Sequence, residues 1–97
     1  MESLPDYPLA VVTPVGTVYS ARVLSVVAPG LSGRLGVLAR HMPLLCVLRP
    51  GSLLCHEASG VWLQFEVEEG ILEVTPEGAE IIVDDARRVP LRVSPRF

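Results

Sequence analysis

Proline and glycine punctuate this chain too densely for any long helix. Nine prolines and eight glycines are spread over 97 residues, and the longest stretch free of both is Thr17–Ala28. Proline inside a helix removes a hydrogen bond and clashes with the preceding turn, and glycine costs about 1 kcal/mol relative to alanine. The one open window is itself rich in Thr17, Val18, Val23, Val26 and Val27. These β-branched side chains are stiff at χ1 and suit a pleated strand. At period two, Tyr19, Ala21, Val23 and Val27 share one face, interrupted by Ser25, while Ser20 and Arg22 share the other.

The clearest alternation is Val61–Glu68. Val61, Leu63, Phe65 and Val67 point one way, and Trp62, Gln64, Glu66 and Glu68 the other. One face is core and the other mostly wet, as in an antiparallel sheet. After Glu69-Gly70, Leu72 and Val74 continue the inward set and Glu73 faces out. Pro76-Glu77-Gly78 turns the chain, and Ala79–Val83 returns. Tyr7–Thr13 reads as the first strand, closed by Thr13-Pro14-Val15-Gly16. Leu44–Leu48 and Ser52–Glu57 flank Arg49-Pro50-Gly51. Turn signals this regular with no helical period predict an all-β fold, a sandwich or barrel. Leu63, Phe65, Leu72 and Val74 are expected in the core, with Glu66, Glu68 and Glu73 exposed. Val83–Arg88 reads as the end of the last strand plus an exposed turn.

Composition narrows the function. Hydrophobic residues are 49% of the chain, too many for a disordered segment. The longest purely apolar run is Leu44–Leu48, far short of the roughly 20 residues of a membrane helix. Met1–Asp6 carries no basic or apolar stretch and reads as no signal peptide. A net charge of −3 argues against a nucleic-acid binder, which normally presents a basic surface.

Four side chains could hold a metal: His41, Cys46, Cys55 and His56. Zinc sites are usually seeded by a close ligand pair, yet the cysteines are far apart and Cys55-His56 point to opposite faces of a strand. Buried core cysteines are the simpler reading. A cysteine nucleophile with a histidine base lacks any local signature. Glu66, Glu68, Glu69 and Glu73 read as a solvated strand face rather than acid–base pairs. Ala28–Gly36 is glycine-rich, but no Lys-Ser/Thr follows and no helix can start before Pro43, so it is a turn and not a phosphate loop.

Taken in order, several blocks match a known pattern. They are Val11-Val12-Thr13-Pro14-x-Gly16-x-Val18-Tyr19, then Val26-Val27-Ala28-Pro29-Gly30-x-x-Gly33-x-Leu35-Gly36-Val37-Leu38. His41-x-Pro43-Leu44-Leu45, Leu48-x-Pro50-Gly51, Gly70-Ile71-Leu72-Glu73-Val74 and Asp84-x-Ala86 follow. The ensemble resembles the epsilon subunit of F-type ATP synthases over residues 7 to about 88. The resemblance implies a two-sheet β-sandwich of about ten short, mostly antiparallel strands over residues 1–86, with 87–97 a short non-helical tail. It implies a non-catalytic rotor subunit without cofactor or metal, coupling ion-driven rotation to ATP synthesis. Its partners would be the gamma subunit, the c-ring and, in the assembled complex, the catalytic alpha/beta hexamer. Its place would be peripheral, on the cytoplasmic face of a bacterial plasma membrane.

Carried over by position, Thr13, Arg40, His41, Met42, Leu44 and Leu45 resemble the gamma-facing side, and Ser32, Gly33 and Arg34 the c-ring contact. The chain departs from the family pattern at Ala39-Arg40, where Pro-Gly is frequent, at Arg34, where an acid is frequent, and at Glu69-Gly70, where Gly-Gly is frequent. The family's C-terminal helical hairpin is absent from these residues, so neither ATP binding nor latching is expected of them. A free-standing adaptor and a Cys/His hydrolase or metalloenzyme are the rival readings.

Overall fold

The structure is a computed structural model that describes residues 4–93. Its nine strands are β1 Tyr7–Thr13, β2 Gly16–Gly30, β3 Gly33–Leu38, β4 Leu44–Leu48, β5 Gly51–Glu57, β6 Trp62–Val67, β7 Gly70–Thr75, β8 Gly78–Val83 and β9 Ala86–Val89. No helix occurs among the described residues. All pairings are antiparallel except β1 with β8.

Strands β1, β8, β7, β4 and β2 form a ring that β1–β2 pairing closes. The closure is thin, because β4 meets β2 only through Gly30 and Leu48. The ring therefore lies flat as two layers. One holds β4, β7, β8, β1 and the first half of β2; the other holds β3, the second half of β2, β5, β6 and β9. Counting β2 in both layers gives the ten strand positions of the expected sandwich.

The 15-residue β2 can serve both layers because it bends. Val23 pairs Glu57 while Ser25 pairs the next residue, His56, so Leu24 is an extra residue on β2. Such a bulge bends the strand and shifts its inside/outside phase. Val23 points into the core before it; Val26 and Ala28 point in after it. The sequence reading kept one phase throughout and placed Val27 with Val23. Val27 is instead on the outer face of the second layer, beside Leu54.

The core is one cluster of buried side chains from both layers, including Leu9, Val11, Leu48, Leu53, Leu63, Phe65, Leu72, Val74 and Ile81. Tyr19 and Phe65 pack tilted, with ring centroids 5.3 Å apart. The buried Tyr7 hydroxyl donates to the Val37 carbonyl oxygen at 2.7 Å, tying β1 of one layer to β3 of the other. Burial holds that phenol well above the usual tyrosine range. Gly70 is obligate: a Cβ there would collide with the Ile82 carbonyl oxygen and come within 2.7 Å of Val83 Cα.

Three details differ from the period-two reading. Val61 precedes β6 and is exposed, because the Ala58–Gly60 turn takes up the residues before the strand. Gln64 faces outward as its position requires, yet it is buried. Its Oε1 accepts the backbone N–H groups of Arg92 and Val93 at 2.7 and 3.0 Å, and its Nε2 donates to Glu66 Oε2 at 2.9 Å. Glu66 also accepts the Ser52 hydroxyl at 2.5 Å and is half-buried rather than exposed. Finally, β9 pairs β6 over Gln64–Val67, which carries the sheet past residue 86, where the sequence reading ends the domain, to Val89. Arg87-Arg88 looked like an exposed turn because an edge strand keeps its charges in water; Pro90 then stops the pairing.

Two outcomes follow. Phe65→Ala should cost about 3–5 kcal/mol by denaturant unfolding, much of the stability of a domain this size. The bonds from Ser52 and Gln64 hold the Glu66 carboxyl below its ordinary value. Its folded-state pKa is depressed, so its contribution is present above the unfolded value of about 4.3 and is lost as pH falls through the folded one. Glu66→Gln should lower stability above about pH 4, leave strongly acid stability nearly as before and so flatten the acid limb of the stability–pH curve; an unchanged acid limb would contradict this.

Candidate partner-binding face

The segment Leu44–Leu48 is apolar at every position, so a strand there cannot hide all its side chains. Leu44, Cys46 and Leu48 turn toward the core, and Leu45 and Val47 turn out, 68% and 52% exposed. The register extends that outer row across the layer. Val47 sits opposite Ile71, Ile71 opposite Ile82, and Ile82 opposite Val12. Ile71 and Ile82 are also exposed, and Val12 is half-buried. Met42, just before β4, is 77% exposed. A continuous apolar row on a small domain marks a site for a partner. Beside it runs Leu45–Glu73–Glu80–Ala10, which gives the patch an acidic margin.

The predicted gamma-facing residues do not form one patch. Met42 and Leu45 lie on the apolar face. Leu44 is half-buried against the core. Arg40 is exposed and His41 half-buried in the turn after β3, where His41 Nδ1 lies 2.7 Å from the Met42 carbonyl oxygen. Thr13 is elsewhere: it ends β1, whereas Arg40 and His41 line a cleft at the Tyr7 end, about 20 Å away along a strand of this length. Its side chain is buried and serves the turn, with Oγ1 donating to the Gly16 carbonyl oxygen at 3.2 Å and accepting the Val15 N–H at 3.3 Å.

The predicted ring-contact loop is the β2–β3 hairpin. Gly30 pairs Gly33, so Leu31-Ser32 is a two-residue turn, and Gly33 takes φ of 133°, which a side chain would strain. Ser32, Gly33 and Arg34 are exposed, but the tip also carries Leu31, 63% exposed, so the loop is not purely polar. The hairpin and β4 wall a single groove of about 450 Å³, with Leu31, Arg34 and Leu35 on one side and Leu45, Cys46 and Val47 on the other. Of the predicted gamma-facing residues, Leu44 and Leu45 are thus neighbours of the predicted ring contact. Val47, Ile71, Ile82 and Leu31 were missed by the sequence reading. The alternation of 44–48 marks Val47, but joining it to Ile71 and Ile82 requires the strand order.

The side chains considered for catalysis are scattered. Cys55 is in the core, and burial, with Glu57 nearby, pushes its thiol up to about 12. Such a thiol is not a nucleophile at neutral pH. His56 stacks on Trp62 on the outer face, ring centroids 4.2 Å apart. Among the described residues no three His, Cys, Asp or Glu side chains are grouped to hold a metal ion.

Residues 6–89 match the family described as the ATP synthase delta/epsilon chain beta-sandwich domain. The chain belongs to that family. An ATP synthase epsilon chain of Acidithiobacillus ferridurans is 44% identical over 79 residues, covering 80% of this chain and 55% of that protein. One from Herpetosiphon aurantiacus is 41% identical over 80 residues, covering 82% and 58%. The chain thus spans little more than half the length of these curated relatives. A chain of the Euglena gracilis mitochondrial ATP synthase, solved with OSCP, F1 and c-ring, superposes with a TM-score of 0.81 at 21% identity, covering 90% of this chain and 56% of that one.

Membership in the delta/epsilon family makes the Ala39-Arg40 departure informative. Arg40 is the one described non-glycine residue with positive φ, at 64°. That left-handed conformation costs a side-chain-bearing residue about 1–2 kcal/mol. Arg40→Gly should therefore raise stability by about 1 kcal/mol in denaturant unfolding; a loss would show that the Arg40 side chain stabilises the turn by more than its strain.

Proposed function

We propose that this chain is a non-catalytic central-stalk subunit of an F-type ATP synthase, binding gamma and resting on the c-ring so that ion-driven rotation reaches the catalytic alpha/beta hexamer without slipping. The observation that supports it is the exposed row Val47–Ile71–Ile82 with Leu45 and Met42, presented on the sandwich of the delta/epsilon family. A rigid frame with one unpaired apolar face is suited to being clamped between larger bodies. In this reading it transmits force without chemistry of its own.

Met42, Leu45 and the outer row are the gamma-facing anchors, with Arg40 and His41 at their rim. Ser32, Gly33 and Arg34, with Leu31 at the tip, form the smaller c-ring contact. Thr13 supports its turn and has no contact role. Buried apolar anchors set the off-rate, whereas rim charges mainly change on-rate and salt dependence. No helix among the described residues is long and apolar enough to cross a membrane. In this reading the domain is held by its partners at the cytoplasmic face of a bacterial plasma membrane.

Co-purification tests the reading: the chain should come out with gamma and the catalytic subunits. A stable monomer with no affinity for gamma would instead favour a free-standing adaptor. Leu45→Glu and Met42→Glu should each abolish capture by gamma, because a charge would be desolvated at the interface centre. Arg34→Glu, at the rim of the same groove, should weaken gamma capture far less than either substitution and lower proton pumping by the whole complex. Release of gamma by Arg34→Glu, with both other substitutions tolerated, would reverse the two faces.

A further inference from the structure

An unpaired strand edge offers a row of N–H and C=O groups that another strand can complete, and folded proteins protect such edges. Four open edges occur among the described strands. β3 pairs only β2 and is protected by Arg34, Gly33 and Gly36. β9 pairs only β6 and carries Arg87 and Arg88. The first half of β2 carries Thr17, Ser20 and Arg22, with an irregular register at Val11–Val12. β4 differs. It pairs β7 along its whole length on one side, and on the other has only Gly30 opposite Leu48. Its open edge, Leu44–Val47, has no charge, no proline and no register shift, and its only polar side-chain contact among those described is the Cys46 thiol donating to the Val47 carbonyl oxygen at 3.4 Å.

The space beside that edge is not closed by the other described residues. The groove of about 450 Å³ lies between it and the β2–β3 hairpin, with Leu31, Leu35 and Cys46 in its walls. It is pinned at one end by Gly30 and Leu48. Any occupant must satisfy main-chain groups alternating along β4 and present apolar side chains at the same spacing. An extended peptide does both.

We propose that the open edge of β4 receives an extended, uncharged segment of the stalk partner, added as a strand in the groove beside the β2–β3 hairpin. This rests on the partner-binding reading above and specifies how the partner is held. Main-chain bonds give the contact its register, and Leu45 and Val47 supply the apolar anchors on the outer side. Continuity carries the assignment: the edge borders the same apolar row that faces the partner, so one body covers both.

Hydrogen exchange resolved to single amides, on the full chain alone and with gamma, tests this. In the free chain, the β4 amides not bonded to β7 should exchange quickly. With gamma bound they should slow by about a hundredfold or more, while β3 amides on its open edge change little. Leu45→Lys, at an exposed site that leaves the fold intact, should weaken gamma binding by about tenfold or more. Val18→Lys, on the first half of β2, should not. If gamma binds and the β4 amides keep their free-state rates, the partner packs on the side chains alone and strand addition is wrong, while the functional reading stands. If gamma does not bind, the functional reading fails and the strand addition with it. If the free chain already protects every β4 amide through self-association that gamma does not displace, the occupant is a second copy and the proposal is overturned.

Discussion

One extra residue in β2 holds this architecture together. The bulge at Leu24 lets a single strand leave the first layer after Val23 and enter the second at Ser25. Without it, a strand of this length would run straight past the sandwich, and Val26 and Ala28 would turn away from the core cluster they now join. With it, the strand contributes to the core on both sides of the bend and pairs in turn with β1, β3 and β5. The Tyr7 hydroxyl bond to Val37 fastens the layers at one end, and the Gly30–Leu48 contact at the other.

The second of those contacts is the weak one, and the function proposed here grows from it. A ring closed by a single residue pair leaves β4 half-paired. It also leaves its neighbour hairpin standing apart, with a groove between. The apolar row Val47–Ile71–Ile82 lies on the outer face of the same layer. A monomer gains nothing from either feature. Both become favourable once a partner removes about the same area from water at roughly 25 cal/mol per Å². The rest of the surface is managed differently: Glu73 and Glu80 margin the row, and arginines protect the β3 and β9 edges.

The elements legible in the sequence are those whose period two is unbroken. Leu63, Phe65, Leu72 and Val74 alternate cleanly with polar residues, and they are buried as that pattern requires. The family was legible too, from ordered Pro-Gly and Gly-x-Leu-Gly blocks. What escaped is what depends on position across strands. The phase of Val27 turned on a bulge that composition does not signal. Gln64 is buried because the segment at Arg92 and Val93 crosses over it, a contact 28 and 29 residues distant. Thr13 looked like a surface residue by its place in a motif, but its hydroxyl is used by its own turn. Ile71 and Ile82 are ordinary strand residues until the register sets them beside Val47.

The sequence reading names two contacts, Thr13, Arg40, His41, Met42, Leu44 and Leu45 in the first and Ser32, Gly33 and Arg34 in the second. In space Leu44 and Leu45 of the first and Ser32, Gly33 and Arg34 of the second wall one groove, so these are not energetically independent. Groups that share a partner or a cavity couple by about 0.5–3 kcal/mol, whereas distant ones add. A body seated on β4 touches the base of the hairpin that carries Leu31 and Arg34, and a body pressing on the hairpin tip bears on the same groove. Among the described residues, the one strand pairing between the hairpin and β4 is the Gly30–Leu48 pair at the end of that groove.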